Sequence, residues 1–219
     1  MKKLLPFLLL LCLAACAPRV YTARDFKQQV QPRHHAVAIL PFNVQIKPAP
    51  PFPGQRPRFS QRELAEQEYQ TGLAVQGNVY SWLLHRGQRK DGYTVEFQDV
   101  ARTNALLQQA GLSYEDMQLK PREELAKLLG VDAVVTGQLL LNKPLPLAAA
   151  VAINVLTPFY AISDEVTASL SLHDQQAGRL LWRYDCRLQG GGGLTDNAQN
   201  LTNSLMRNAA KRFPYQRRG

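Results

Sequence analysis

The chain has 219 residues, 45% of them apolar, and a formal charge of +9, which suits one packed α/β domain or one such domain with an elaborated insert. Its three cysteines, Cys12, Cys16 and Cys186, leave a single thiol once the leader described next is removed and Cys16 modified. That arithmetic excludes a disulfide framework or a cysteine zinc cluster in the mature chain.

Residues 1–15 have the three parts of a secretory leader: Lys2 and Lys3, an apolar run from Leu4 to Leu13, and the small pair Ala14-Ala15. The run is about ten residues, half of what a spanning helix needs. Leu13-Ala14-Ala15-Cys16 resembles a bacterial lipobox, which implies cleavage before Cys16 and acylation, with palmitate among the chains, of that residue. Ala17 follows it where an aspartate would resemble an inner-membrane retention signal, so the expected address is the outer membrane, with the domain facing the periplasm. Behind such an anchor, the positive charge points to acidic partners such as phospholipid headgroups or cell-wall polymers, and nucleic acid is not expected. Residues 16–33 are polar, basic and unpatterned and are expected to form the lipidated N-terminus and a flexible tether.

The expected domain spans 34–215, with a basic tail at 216–219. Ala36 to Phe42 is short, apolar and rich in branched residues, as a strand buried on both faces should be. His34 and His35 precede it at a strand edge. The proline-rich stretch Lys47 to Phe59 is a long connection. Ser60 with Glu63 forms a capping box for a helix through Val75, Val79 and Leu83, in which Gly72 and Gly77 allow close packing on the sheet. Tyr93 to Phe97 is a strand, and Asp99 or Thr103 caps a second helix that ends at Gly111. Ser113 opens a short segment, and Lys120-Pro121 starts a helix that Gly130 stops.

Val131 to Leu141 is a second central strand. The uncharged stretch 144–163 is long enough to span a membrane, but three prolines and Asn154 favour a buried helix or hairpin, with membrane or subunit contact as the alternative. Val166 to Leu172 and Leu180 to Leu188 alternate as a half-buried hairpin around Asp174–Gly178, with Cys186 a small apolar strand residue. Gly190 to Gly193 lacks the lysine of a phosphate loop and reads as a connector. A last helix with one apolar stripe runs through Leu201, Leu205 and Ala209 to Phe213, and Pro214 stops it.

The chain has no GxSxG elbow, HExxH or Walker loop, and Asp132, Asp164 and Asp174 are isolated carboxylates at strand ends. No catalytic residue, cofactor or metal site is expected. The order β-α-β-α-α-β-β-β-α implies a three-layer α/β sandwich with a central mixed sheet.

The wording of 36–42 (AVAILPF), 129–137 (LGVDAVVTG), 180–184 (LLWRY) and 212–215 (RFPY) resembles the outer-membrane lipoproteins related to the curli secretion lipoprotein and the penicillin-binding-protein activators. The TolB amino-terminal domain shares that fold, and a family of small lipoproteins of unknown function is closest in wording. The resemblance implies a non-catalytic interaction or assembly factor in envelope biogenesis or secretion. The partners it implies are outer-membrane lipid through acylated Cys16, an envelope protein, and further copies of the chain as a homo-oligomer. Two alternatives stand beside it: a curli-type export channel component inserting residues 144–163, and an envelope hydrolase with an unrecognised site.

Overall fold

A computed structural model describes residues 18–47, 59–89, 92–142, 165–189 and 198–217. The leader, Cys16 and the uncharged stretch 144–163 lie outside the described residues.

Seven strands form one mixed sheet: β1 (Arg19–Thr22), β2 (Ala36–Ile39), β3 (Asn43–Lys47), β4 (Glu96–Phe97), β5 (Ala133–Asn142), β6 (Glu165–Asp174) and β7 (Leu180–Gln189). The order is β1-β7-β6-β5-β2-β4, with β3 pairing β5 beyond β2. β2, β3 and β4 run parallel to their neighbours, whereas β5, β6, β7 and β1 are antiparallel to one another.

The helices are α1 (Gln61–Gly87), α2 (Val100–Gln109), α3 (Tyr114–Leu119), α4 (Arg122–Leu129) and α5 (Ala198–Ala210). α1 and α5 cover one face of the sheet, packing Val75, Val79, Leu83, Leu205 and Met206 against Ile39, Val135, Leu170 and Trp182. α2, α3 and α4 cover the other face, where Leu107, Met117, Leu125 and Leu129 meet Ala38, Leu40 and Val134. The three-layer α/β sandwich with a central mixed sheet is the architecture the sequence implies.

This second layer covers only part of its face, and β5 shows why. Its residues on that side run from Val134, which is buried, to Thr136, Gln138 and Leu140, which are half-buried or exposed. The opposite side stays apolar throughout, with Val135, Leu139 and Leu141 in the core. One strand thus changes from two-sided burial to one-sided burial along its length.

Local rules hold where the sequence states them. The Ser60–Glu63 capping box forms on α1, and a second one joins Ser113 and Asp116 on α3. Gly130 ends α4 at φ 66°, and Val131 N–H returns to Ala126 C=O, as in a Schellman stop.

Three expectations are corrected. Residues 19–33 are not a tether: β1 pairs β7, and a π-turn over Phe26–Val30 buries Phe26 and Val30 completely. Arg24, Lys27 and Arg33 around them stay exposed, so the segment reads as polar although its apolar residues enter the core. The tail is also folded in part, because Gln216 bridges Tyr93 and Arg217 N–H donates to Gly92 C=O.

The third concerns the first central strand, expected over 36–42. β2 stops at Ile39 and β3 continues beside β5 with one extra residue: Ile39 pairs Val135, but Asn43 pairs Gln138. Pro41 lacks the N–H a ladder needs, which accounts for the bulge. Phe42 N–H donates to Gly72 C=O on α1, and the Tyr114 hydroxyl donates to Phe42 C=O. A Cβ on Gly72 would strike that carbonyl, and one on Gly137 would strike the Phe42 ring. Gly77, by contrast, has nothing within 4 Å of such a Cβ, so only Gly72 serves close packing.

Candidate functional site

Cys16 lies outside the described residues, two positions before Pro18. The structure brings together four residues that sequence reasoning kept apart: His34, Asp132, Asp174 and Tyr215. His34 sits just before β2, Asp132 just before β5, Asp174 at the end of β6, and Tyr215 in the tail after α5. The parallel register of β2 and β5 and the antiparallel register of β5 and β6 bring these ends to one edge of the sheet.

His34 Nδ1 lies 2.5 Å from the Tyr215 hydroxyl, and its Nε2 lies 3.6 Å from Asp174 Oδ1. With the tyrosine donating to Nδ1, the remaining imidazole proton faces the carboxylate. Asp132 Oδ2 accepts from the backbone N–H groups of His35 and Ala36, at 2.7 and 2.9 Å. Asp174 Oδ1 also accepts from Gln176 N–H at 3.1 Å. His34 and Asp174 are each 6% exposed and Tyr215 is fully buried.

Burial pulls the His34 pKa below its ordinary value, and the Asp174 and Asp132 charges oppose that shift without reversing it. Burial, reinforced by the same two carboxylates, pushes the Tyr215 phenol above its ordinary range. The imidazole is therefore held neutral and the phenol protonated. A histidine–carboxylate pair suggests acid–base chemistry, but a working site needs a cavity where substrate meets the pair. Neither hollow described below is lined by any of the four residues. The arrangement locks the start of β2, the end of β6 and the chain's tail together.

A second buried polar group lies between α1, α2 and β2. Gln76, 1% exposed, donates to Ile39 C=O at 2.7 Å and exchanges two amide hydrogen bonds with Asn104, at 2.9 and 3.0 Å. It satisfies the carbonyl at the point where Pro41 interrupts the ladder.

The concave surfaces lie elsewhere. A groove of about 720 Å³ runs between α1, α3 and β3, lined by Tyr69, Tyr114, Ala65, Glu66 and Leu119, the last 85% exposed. Its β3 wall is closed to further strands, because Val44 N–H donates to the Tyr114 hydroxyl and Ile46 N–H to Glu68 Oε1.

The second hollow, about 290 Å³, lies on the sheet face that α2–α4 leave uncovered. Pairing aligns Asn43, Gln138, Ser169, Asp185 and Arg19 as one row across five strands. Beside it stand Thr167, and Arg183 with both Asp185 oxygens 2.9 Å from its Nε. These groups both donate and accept hydrogen bonds. Among the described residues no cluster of three or more metal-ligating side chains occurs, and no helix is long and apolar enough to cross a membrane.

The class this fold defines is a three-layer α/β domain with a closed polar lock and an open polar sheet face. No protein-family model matches the chain, and no curated protein does. Among solved structures it is similar to PelC from Paraburkholderia phytofirmans, described as a dodecamer, at 12% identity over 93% of this chain and 99% of that one, TM-score 0.46. It is similar also to lipoprotein GNA1162 from Neisseria meningitidis, at 14% identity over 81% and 96%, TM-score 0.41. The C-terminal domain of LpoB from Salmonella enterica matches at 14% identity over 71% and 83%, TM-score 0.35.

Proposed function

We propose that this chain is an outer-membrane lipoprotein, cleaved after residue 15 and acylated at Cys16, whose domain faces the periplasm. It acts without catalysis, as an interaction or assembly factor in envelope biogenesis or secretion. The observation that carries the non-catalytic reading is the contrast between the two polar regions. The His34–Asp174–Tyr215 group is buried and closed on itself, while the row from Asn43 to Arg19 stands open across five strands. An open row of amides, hydroxyls and one ion pair suits contact with a protein surface, where polar groups fix register.

A photo-crosslinking residue at Ser169 or Gln138, introduced in cells and analysed by mass spectrometry, tests this. A reproducible adduct with one envelope protein supports the reading, and an adduct with a second copy makes that partner the chain itself. Absence of any reproducible protein adduct from both positions contradicts it.

A further inference from the structure

We propose that the domain stands directly on an anionic bilayer, with the sheet end that carries Arg19, Arg187 and Lys47 against the lipid headgroups. This rests on the Cys16 anchor proposed above and adds its orientation.

β1 sets the orientation. Arg19 pairs Asp185, and β1 runs antiparallel to β7, which ends four residues later at Gln189. The chain therefore enters the domain at the end of the sheet where β7 leaves it. At that same end β3 finishes with Lys47 beside Asn142, Asn142 pairs Glu165, and Glu165 pairs Gln189.

Arg19 is three residues from Cys16, and three residues reach at most about 10 Å when fully extended. The headgroup layer is itself about 5–7 Å deep on each side of the hydrocarbon. A flexible tether over 17–33 would have let the domain drift well beyond that layer. Pairing of β1 with β7 removes the slack, so an acylated Cys16 holds this end of the sheet at the headgroups.

The chemistry of the end fits what it would meet. Arg19, Lys47 and Arg187 are all exposed. They are distributed over β1, β7 and β3, five strands or about 19 Å across at about 4.8 Å per strand, and stand at three levels along the strands: Lys47 at the rim, Arg187 two residues in and Arg19 four residues in beside Asp185. Two carboxylates stand among these cations: Asp185, level with Arg19, is neutralised by Arg183, and Glu165 lies on the rim row with Asn142 and Gln189, which leaves the positive charge in excess. Each basic side chain near an anionic surface is worth roughly a fivefold gain in binding.

The test uses the chain from residue 16 onward with Cys16→Ala, so that no acyl group contributes, and measures flotation with lipid vesicles. The expected result is binding to vesicles containing phosphatidylglycerol, reversal by high salt, and no binding to phosphatidylcholine alone. Arg19→Gln, Lys47→Gln and Arg187→Gln together should weaken binding by about 100-fold, while Arg207→Gln on α5 changes it less than about twofold. Failure to bind anionic vesicles, equal binding to neutral ones, or a triple variant that floats like the parent overturns the proposal. The anchor is judged separately, by the mass of the N-terminal peptide from cells. An acylated chain whose Cys16→Ala form ignores vesicles keeps the anchor and defeats the docking. A vesicle-binding chain without acyl groups does the reverse.

Discussion

The two ends of the sheet are built on different principles. At the end where β2 and β5 begin, helices cover both faces, His34 and Asp174 close a polar lock under Tyr215, and even the proline break at Pro41 is tied by Gly72, Tyr114 and Gln76. At the other end the same strands are covered on one face only, and the open face presents a polar row and exposed cations. The first end carries the stability of the fold. The second is free to vary in chemistry without unfolding the domain, which is where a contact surface can be placed at little cost.

The largest test of that contrast sets two leucines against each other. Leu125 on α4 is fully buried in the covered half, and Leu125→Ala should cost about 2–5 kcal/mol. Leu140 is half-buried on the open face of β5, and Leu140→Ala should cost less than about 1 kcal/mol. Urea denaturation of both variants reads the difference, and equal losses would break the comparison.

Next comes the lock. His34→Ala leaves a fully buried Tyr215 hydroxyl without its partner, a loss of about 1–3 kcal/mol of stability that chemical unfolding reads. Ser169→Ala, on the open row, should stay within about 0.5 kcal/mol.

A pH series sharpens the same point. Burial lowers the pKa of His34, and likewise that of His173, below 6.5 in the folded state. As pH falls through 6.5 the unfolded chain takes up protons before the folded one. Stability is therefore full above that value and declines toward the folded pKa, by at most about 1.4 kcal/mol per histidine per pH unit. The fall in Tm between pH 7 and pH 5 should shrink in a His34→Gln variant.

The smallest effect separates two glycines of α1. Gly77→Ala removes a helix-weakening residue with open space beside it and should stabilise by about 0.5–1 kcal/mol. Gly72→Ala places a methyl against the Phe42 carbonyl and should destabilise by about 1 kcal/mol or more. Thermal melts moving in opposite directions are the expected outcome.

What the sequence allowed follows from how each feature is encoded. The capping box at Ser60, the stop at Gly130 and the alternation of the β6–β7 hairpin are written in neighbouring residues, and each is found where its residues stand. β1 carries no such mark. All four of its residues are exposed, so neither apolar alternation nor a buried run betrays it. β3 does alternate, with Val44 and Ile46 inward, but it follows Pro41 and runs straight into the proline-rich connection, which hid it. The lock was the least legible feature, because positions 34, 132, 174 and 215 meet only through strand register. Its one sequence signal was that three of the four sit at strand ends, and an assumed parallel pairing of β2 with β5 would have set Asp132 beside Ala36. Leu181 is hidden in a similar way: strict alternation along 180–188 would turn it outward with Arg183, and a register shift between Leu172 and His173 turns it into the core.

The account depends most on Cys16, since the anchor gives the open end of the sheet its surroundings. The direct measurement is the mass of the N-terminal peptide from protein purified from bacterial membranes after palmitate labelling. The account predicts a chain beginning at Cys16, with that residue carrying label and the added mass of its acyl groups. A chain that retains residues 1–15, or one that begins at an unmodified residue, would contradict it.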